Sequence, residues 1–309
     1  MNSGPIVSLF FELVYNGAPR LHALGFRFVT TITNEATKAD GHEGNIIGVF
    51  GVAVCQSERK PIAMPSPDVR VVISGIGVVS PFGVGRERFW DCVMRGQSGT
   101  RAITEFDSSG LPCRVAATVP AVSIADAPRV DGDDGEGLRG ETDSRRRRSS
   151  HADPRHYSRT SLIAVIAASE AWNDAGLRMG EPSAGVLVGS GAGGIDVAER
   201  QYEHYFTDSW KKVTPYAIPV SIVGMVSSEI SIALGLKGIS HVLSTGCTSS
   251  TDAIGYAAEM IRSGGAEVLL TGGADACVTP GMMRGFARMR ALTTRYNGQP
   301  AEASRPFER

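Results

Sequence analysis

Three short apolar runs, each followed by a segment with helical spacing, constrain the fold of this chain more than any other feature. The runs are AGVLVG at 184–189, SHVLS at 240–244 and EVLLTGG at 267–273. Strands that alternate with helices in this way are typical of α/β proteins with a parallel sheet. We therefore predict a layered α/β fold, with helices on both faces of a mixed, mostly parallel sheet.

The rest of the regular pattern extends this α/β prediction in both directions along the chain. Apolar runs of strand length occur at Val71–Ile73 and at 114–119. The helix predicted at 158–176 carries Ala, Ile and Leu on most of its faces, so we expect it to be buried. Further helices are predicted at 86–96, 218–235, 248–265 and 280–292.

Composition divides the chain into regions of different character. Residues 1–67 have patchy hydrophobicity with no sustained period, and we predict that they are a non-native extension outside the domain that spans 68–309. Residues 128–153 are dense in charge and glycine and poor in apolar side chains. Such a segment cannot bury enough apolar surface to offset the entropy of ordering, so it is predicted to be a disordered loop.

Charge and cysteine usage exclude several classes of protein. The net charge of −1 gives no indication of binding to nucleic acid or to an anionic membrane. The five cysteines are scattered, with no Cys/His spacing typical of zinc sites, so no metal is predicted. Glu12 interrupts the apolar N-terminal run, and no Lys or Arg precedes it, unlike a signal peptide. A reducing, cytoplasmic location is the prediction.

Two glycine-rich turns raise the alternative of a nicotinamide-dependent oxidoreductase. Gly75–Ser80 nearly matches GxGxxG, and Gly189–Gly194 matches it literally. A dinucleotide site also needs a helix that opens at the third glycine, and an acidic residue after the next strand. Pro81 and Gly83 interrupt any helix after the first turn, and no suitable strand follows the second. Both turns are better explained as tight strand-to-helix connections.

Cys247 is the candidate nucleophile, because it lies between the run 240–244 and a predicted helix. A helix N-terminus carries free N–H groups and partial positive charge, which favour a thiolate and can help to bind an oxyanion. The alternative is an inert cysteine in the core, the commoner fate of a single cysteine. The nearest histidine, His241, is expected to face the packed side of its strand. Spacing alone leaves both readings of Cys247 open.

Several blocks of the sequence favour the first reading, because together they resemble a known family. The chain from about 68 to 309 resembles the N-terminal part of the β-ketoacyl-acyl-carrier-protein synthases, the elongating ketosynthases of fatty acid and type II polyketide synthesis. The blocks that carry the resemblance, all in family order, are VVISGIGVVSPFGVG, VGSGAGG, TPYAIPVSIVGM, STGCTSSTDAIGYAAEMIRSGGAEVLLTGGADA and RALTTRYNGQPAEASRPFE.

The resemblance implies a fold and a reaction. The fold is thiolase-like, built from two similar halves of which this chain holds the N-terminal one, and it is usually a homodimer. The reaction is a decarboxylative Claisen condensation. Cys247 takes an acyl chain from a carrier-protein thioester, and its backbone N–H forms part of the oxyanion hole. Malonyl carrier protein then loses CO2 and attacks the acyl group. No cofactor is implied beyond the phosphopantetheine that the acyl carrier protein brings.

The resemblance also implies binding residues for the substrate and for the carrier protein. Ala217, Ile218 and Ser221 match the segment that lines the acyl pocket in the family. A basic segment before the helix at 158–176 meets the acidic carrier protein in the family. The matching arginines here are Arg145, Arg146, Arg147, Arg148, Arg155 and Arg159.

Departures from the family pattern bear on activity. The two active-site histidines of the family lie in its second half, together with a lysine and the other oxyanion N–H, and no histidine follows Cys247 here. We therefore expect the chain alone to be inactive, as a truncated gene product would be. A second hypothesis is a non-catalytic partner subunit, similar to the chain-length factors. Those subunits commonly carry Gln at the nucleophile position, whereas Cys247 is intact.

Overall fold

The computed structural model describes residues 70–132, 154–207 and 210–305 of the chain. The predicted N-terminal extension and the greater part of the predicted charged loop lie outside these ranges. No helix within them is long and apolar enough to cross a membrane.

The largest sheet has three parallel strands, and the strand nearest the N-terminus is central. The chain runs from the central strand to one edge and then crosses to the other, which the helical connections permit. Two small antiparallel pairs precede this sheet. In chain order the strands are β1 (Val79–Ser80), β2 (Gly83–Val84), β3 (Arg101–Ala102), β4 (Val115–Ala116), β5 (Ala184–Gly189), β6 (Ser240–Leu243) and β7 (Val268–Gly273).

The helices connect these strands in the alternation that the sequence predicts. The predicted helix at 158–176 is confirmed closely: the Ser158 hydroxyl caps its N-terminus by accepting from the Ser161 N–H, and Gly176 takes a φ of 67° just beyond its end. The helices are α1 (Arg86–Met94), α2 (Arg159–Asp174), α3 (Ile195–Thr207), α4 (Ala217–Ser221), α5 (Met225–Leu234), α6 (Ser249–Arg262) and α7 (Pro280–Arg288).

The sheet carries helices on both faces, as predicted. Successive side chains of a strand point to opposite faces, so Ala184, Val186 and Val188 share one face of β5. These three residues belong to the main apolar core, together with buried side chains of α2 and α5. The opposite face of β5 meets α6, since a Cβ on Gly189 would lie 2.2 Å from the backbone of Ser249. The result is a three-layer α/β arrangement.

The strand predicted at Val71–Ile73 is wrong. These residues form no strand, and the last two of them are exposed. The backbone beyond them bonds to α2 instead of to a strand. The Ile76 N–H donates to Asp174 Oδ2 at 2.9 Å, and the Val78 N–H donates to Glu170 Oε2 at 2.8 Å. The apolar run has strand propensity, but pairing also requires a neighbouring strand.

The helix predicted at 218–235 is interrupted. It forms α4 and α5, separated at Ile222, which is extended with a ψ of 132°. The break lets Val223 pack closely on a glycine-rich turn, because a Cβ on Gly193 would lie 2.7 Å from the Val223 Cα atom. Two other predicted elements are longer than the observed ones. The strand predicted at 114–119 is limited to β4 (Val115–Ala116), and the helix predicted at 280–292 ends at Arg288, the last residue of α7.

The first residues of the predicted charged loop belong to the packed structure. Val130 is buried in the main core. The Met179 N–H donates to the Asp131 carbonyl at 2.9 Å, and Asn173 Nδ2 donates to the Arg129 carbonyl at 2.6 Å. Residues 128–132 are therefore ordered against the end of α2, contrary to the predicted start of the loop.

Candidate functional site

Cys247 lies at the carboxyl edge of the sheet, where ligands bind in many open α/β folds. It follows β6 in a short 3-10 turn, Gly246–Thr248, which leads directly into α6. Gly246 has a φ of 68°, a left-handed conformation that glycine adopts without strain. The Cys247 side chain is exposed. The sequence prediction of a cysteine at a helix start is confirmed in its geometry.

Side chains from the first turns of α6 anchor the backbone around Cys247. Asp252 Oδ2 accepts hydrogen bonds from the hydroxyls of Thr245 and Thr248, the latter at 3.0 Å. The Ser249 hydroxyl accepts from the Thr245 N–H at 2.9 Å and donates to the Gly246 carbonyl at 2.6 Å. These bonds fix the chain on both sides of the cysteine, so the thiol is presented from an ordered turn.

The start of α6 packs directly onto the ends of two strands. A Cβ on Gly189, the last residue of β5, would lie 2.2 Å from the Ser249 carbonyl group. A Cβ on Gly273, the last residue of β7, would lie 2.7 Å from Ser250 Cβ. Glycine is therefore required at both strand ends, because any side chain would push α6 and the cysteine turn away from the sheet.

Asp275 holds the glycine-rich turn that follows β5. Its carboxylate accepts from the Ser190 hydroxyl at 3.0 Å, from the Gly191 N–H at 2.9 Å and from the Ala192 N–H at 2.9 Å. The Ser190 hydroxyl in turn accepts from the Gly193 N–H at 3.0 Å. The amide groups that would have to bind phosphate in a dinucleotide site are thus engaged by a carboxylate, which favours the reading of this turn as a connection.

The other described cysteines are less exposed than Cys247. Cys113 is buried, and Cys92 is half-buried on α1. Burial, together with the charge of Asp275 and a hydrogen bond to it, raises the pKa of the Cys277 thiol to about 12. Cys277 is therefore protonated at neutral pH. The remaining cysteine, Cys55, lies outside the described residues.

The residues predicted to bind the acyl chain lie on α4 and have different environments. Ala217 is buried, Ile218 is 70% exposed, and the Ser221 hydroxyl donates to the Ala217 carbonyl at 2.5 Å. The end of α4 packs on the glycine-rich turn, since a Cβ on Gly194 would lie 2.2 Å from the Val220 carbonyl. The turn therefore connects the α4 segment with the cysteine turn, and the binding role of the three residues stays a prediction.

The predicted docking arginines do not behave as one group. Arg145–Arg148 lie outside the described residues. Arg155 is exposed, and its guanidinium lies 5.7 Å from the centre of the Tyr216 ring. The guanidinium of Arg159 instead donates to the carbonyl of Val119 at 2.7 Å and to that of Pro120. Arg159 thus has a structural contact that competes with docking, while Arg155 is accessible.

Arg159 also lines a cavity of about 1580 Å³ between the β3–β4 hairpin and the starts of α2 and α7. Asp275 and Cys277 reach the same cavity, but none of the three predicted acyl-binding residues does. The burial of Arg159 lowers the pKa of its guanidinium, and the charges of Asp196 and Glu105 oppose that effect.

His241 is exposed on β6, so the expectation that it faces packed side chains is wrong. The strand β6 is an edge strand of the three-stranded sheet, and only its last two residues are half-buried. A single-residue reading of the sequence could not tell an edge strand from a central one.

Sequence reasoning missed Asp275 and Ser190. Both follow strands, two residues after β7 and one residue after β5, at the same sheet edge as Cys247. Their positions after parallel strands were the available signal, because the carboxyl ends of such strands meet at one edge.

A family comparison agrees with this geometry. The family model described as "Beta-ketoacyl synthase, N-terminal domain" matches residues 68–309.

Curated relatives and solved structures match the same region. A 3-oxoacyl-[acyl-carrier-protein] synthase 2 from Coxiella burnetii is 36% identical over 250 residues, which cover 78% of this chain and 53% of the relative. The tetracenomycin polyketide synthase ketoacyl synthase alpha subunit of Streptomyces glaucescens is 35% identical over 256 residues, with the same coverage. A crystal structure of a β-ketoacyl synthase from Burkholderia phymatum matches with a TM-score of 0.59 and 27% identity, over 77% of this chain and 54% of that one. The chain spans about half the length of the curated relatives it matches.

Proposed function

Because the chain belongs to the β-ketoacyl synthase family, we propose that it supplies the N-terminal half of a β-ketoacyl-acyl-carrier-protein synthase, an acyltransferase. The observation that carries the proposal is the exposed Cys247 in an ordered turn at the start of α6. A partner subunit of the chain-length-factor type is disfavoured by the same residue, since it has no need of an accessible thiol at this position.

In the proposed reaction, the Cys247 thiolate attacks the carbonyl carbon of an acyl thioester on the carrier protein. The Cys247 N–H donates to the oxyanion that forms, and the phosphopantetheine thiol leaves. Malonyl carrier protein then loses CO2. The resulting carbanion attacks the acyl-cysteine, a carbon–carbon bond forms, and the carbon–sulfur bond to Cys247 breaks, which frees the thiol for the next cycle.

Substrate and partner binding follow the same family pattern. The acyl chain contacts α4 through Ala217, Ile218 and Ser221, which the glycine-rich turn joins to the cysteine turn. The acidic carrier protein docks on the arginines before α2, chiefly the exposed Arg155 and the segment Arg145–Arg148. The complete enzyme is a cytoplasmic homodimer in this proposal, and the chain needs the histidines of the family's second half.

A complementation experiment tests the proposal. We expect no condensation from the chain alone, because acid–base and oxyanion groups each contribute factors of about 10²–10⁴ and several are missing. Co-expression with the second half of the Coxiella burnetii relative should yield β-ketoacyl product from acyl and malonyl carrier proteins. Cys247→Ala should reduce this product by about 10³-fold or more, because it removes the nucleophile.

The matched control is Cys92→Ala, on the half-buried cysteine of α1, which should leave the activity of the complex unchanged. Product formation that survives Cys247→Ala would exclude Cys247 as the acyl acceptor. Condensation by the chain alone at ordinary enzyme rates would show that the second half is not required.

A further inference from the structure

The carboxylate of Asp275 accepts most of the hydrogen bonds that hold the turn after β5, next to the cysteine turn. Three consecutive residues of the turn after β5 donate to it, at 2.9–3.0 Å. The first of them, Ser190, is fully buried, and its N–H donates to the Leu243 carbonyl at the end of β6 at 3.0 Å. The turn is thus fixed by Asp275 on one side and by the strand that leads to the cysteine on the other.

Gly191, in this turn, packs closely against Gly246, the residue before the cysteine. A Cβ on Gly191 would lie 3.3 Å from the Gly246 carbonyl oxygen and 3.6 Å from Asp275 Oδ2. Gly191 is therefore a close neighbour of both the carboxylate and that carbonyl. Any shift of the turn that follows loss of Asp275 would change the space available to the Gly246 carbonyl.

The Gly246 carbonyl and the Cys247 N–H belong to the same peptide unit. The described residues contain no cis peptide bond, and in a planar trans unit the C=O and N–H point in opposite directions. A contact that fixes the carbonyl direction therefore also fixes the N–H direction. The Ser249 hydroxyl bonds this carbonyl directly at 2.6 Å, and Gly191 limits the space into which the carbonyl can turn.

We propose that Asp275 is a positioning residue that aims the Cys247 N–H at the oxyanion of the acyl-transfer step. This inference rests on the proposed function, since it assigns a use to that N–H. Both carboxylate oxygens of Asp275 already accept hydrogen bonds from the turn, which suits positioning better than proton transfer. Asp275 acts through Gly191 and touches no reacting atom.

Two reactions of the same thiol separate this role from a general effect on folding. In acylation by S-phenyl thioacetate, an aryl thioester that exchanges with ordinary thiols, Cys247 sulfur adds to the carbonyl carbon, an oxyanion forms, and thiophenol leaves. In alkylation by iodoacetamide, the sulfur displaces iodide from carbon, and no oxyanion forms. The ratio of the two rate constants at Cys247, measured by peptide mass spectrometry on the 309-residue chain, therefore reports the oxyanion contact.

Two variants are expected to lower this ratio. Asp275→Asn places an amide NH2 group against N–H donors, and Gly191→Ala adds a methyl group at 3.3 Å from the Gly246 carbonyl oxygen. Since loss of a whole oxyanion donor costs about 10²–10³ in rate, we expect a misdirected donor to lower the ratio by about tenfold. Gly191→Ala leaves every hydrogen-bonding group in place, so it stands in if Asp275→Asn fails to fold.

Matched controls come from a similar carboxylate and a similar glycine elsewhere. Glu199 accepts from the Thr279 hydroxyl at 2.6 Å and from the Gly281 N–H at 2.9 Å at the start of α7, so Glu199→Gln disturbs a comparable cluster. Gly110 has no atom within 4 Å of a Cβ position, so Gly110→Ala adds its methyl group in open space. Both controls should keep the ratio of the unmodified chain.

The outcomes distinguish this inference from the function on which it rests. If Cys247 of the unmodified chain has a higher ratio than N-acetylcysteine, and Asp275→Asn and Gly191→Ala keep it, the positioning role is wrong while the nucleophile stands. If the unmodified chain has no higher ratio than N-acetylcysteine, the proposed oxyanion contact itself is wrong, and the role of Asp275 with it.

Discussion

The helices α2 and α6 pack on opposite faces of the same sheet, yet they differ greatly in burial. In α2, ten side chains are buried, including Ile166 and Trp172. In α6, the buried residues are Ser249, Ala253 and Ala257, which are spaced by four and form a single stripe facing the sheet. Both segments are rich in Ala and Ile, so composition does not explain the difference.

The difference lies in what covers each helix on its second side. The segment 75–77 packs closely on α2 and covers it, since a Cβ on Gly77 would lie 1.9 Å from the Ala167 carbonyl oxygen. On α6, Tyr256 is 63% exposed, and Ile254 and Ile261 are half-buried. Because the curated relatives are about twice as long as the matched region, we expect residues of the family's second half to cover α6.

The largest expected effect is therefore on the solution behaviour of the chain alone. Each large apolar side chain left in water forgoes about 1.5–3 kcal/mol, against a total stability of about 5–15 kcal/mol. We expect the chain to aggregate or to bind a hydrophobic dye strongly, and co-expression with a family second half to suppress both. Dye fluorescence and size-exclusion chromatography measure this.

Surface variants assign the dye binding to α6. The share of dye fluorescence that the second half suppresses should fall in Tyr256→Ser, and it should fall much less in Trp90→Ser, on an aromatic of α1 with a similar exposure of 56%. A monodisperse, cooperatively melting monomer from the chain alone would remove the reason to expect a cover on α6.

A pair of core substitutions gives the next largest effect. Ile166→Ala on α2 should cost about 2–5 kcal/mol, because it empties a fully buried site. Ile261→Ala on α6 should cost about 1 kcal/mol, because the side chain is only half-buried. Urea unfolding followed by tryptophan fluorescence measures both. Equal costs for the two substitutions in the chain alone would mean that α6 is covered there as well as α2.

Glycine substitutions test the same difference between a covered α2 and an open α6 through backbone packing. Gly77→Ala should destabilise the chain by about 1–3 kcal/mol, since the added methyl group overlaps α2. Gly255→Ala, on the open side of α6 with no atom within 4 Å of a Cβ position, should stabilise it by about 0.5–1 kcal/mol through helix propensity. Thermal melts of the two variants decide the point, and a loss of stability in Gly255→Ala would show an unseen contact on α6.

The smallest effect concerns charge on the two faces. Burial raises the pKa of Glu229, on the α5 helix that packs with α2, and the charge of His156 partly offsets this. Because the folded state holds this proton more tightly, the contribution of Glu229 is full below its unfolded pKa and is lost as pH rises through the folded pKa. Glu229→Gln should therefore stabilise the chain at pH 7, with a gain that disappears towards pH 4.

The matched control for this pH dependence is Glu259→Gln on α6. The Glu259 side chain is 65% exposed and pairs with Arg262 at 2.5 Å, so its removal should change stability little at any pH. A gain from Glu229→Gln that is equal at pH 7 and pH 4 would contradict the burial of that carboxylate as the cause.

Sequence patterns predicted the elements whose signals are local. The periodicity of α2, its Ser158 cap and Gly176 all lie within the single stretch 158–176, and the strand and helix that flank Cys247 are likewise adjacent in sequence. Local periodicity and capping are sufficient to place such elements.

Sequence patterns failed where distant residues decide the structure. Val71–Ile73 has the composition of a strand, but the backbone that follows bonds to carboxylates of α2 that are more than ninety residues away. Asp275 meets Gly191 across a separation of 84 residues, and no spacing rule connects the two. The turn that holds Cys247 could be located from the sequence, whereas the contacts behind it required the fold.

Competitive alkylation tests the central claim, that Cys247 is the presented nucleophile, most directly. The folded chain is treated with limiting iodoacetamide at neutral pH, and the labelled peptides are mapped by mass spectrometry. We predict that Cys247 is labelled before Cys92, and that the buried Cys113 and the protonated Cys277 are labelled last. Uniform labelling of these four cysteines, or a Cys247 that stays unreacted while the chain is folded, would contradict the account.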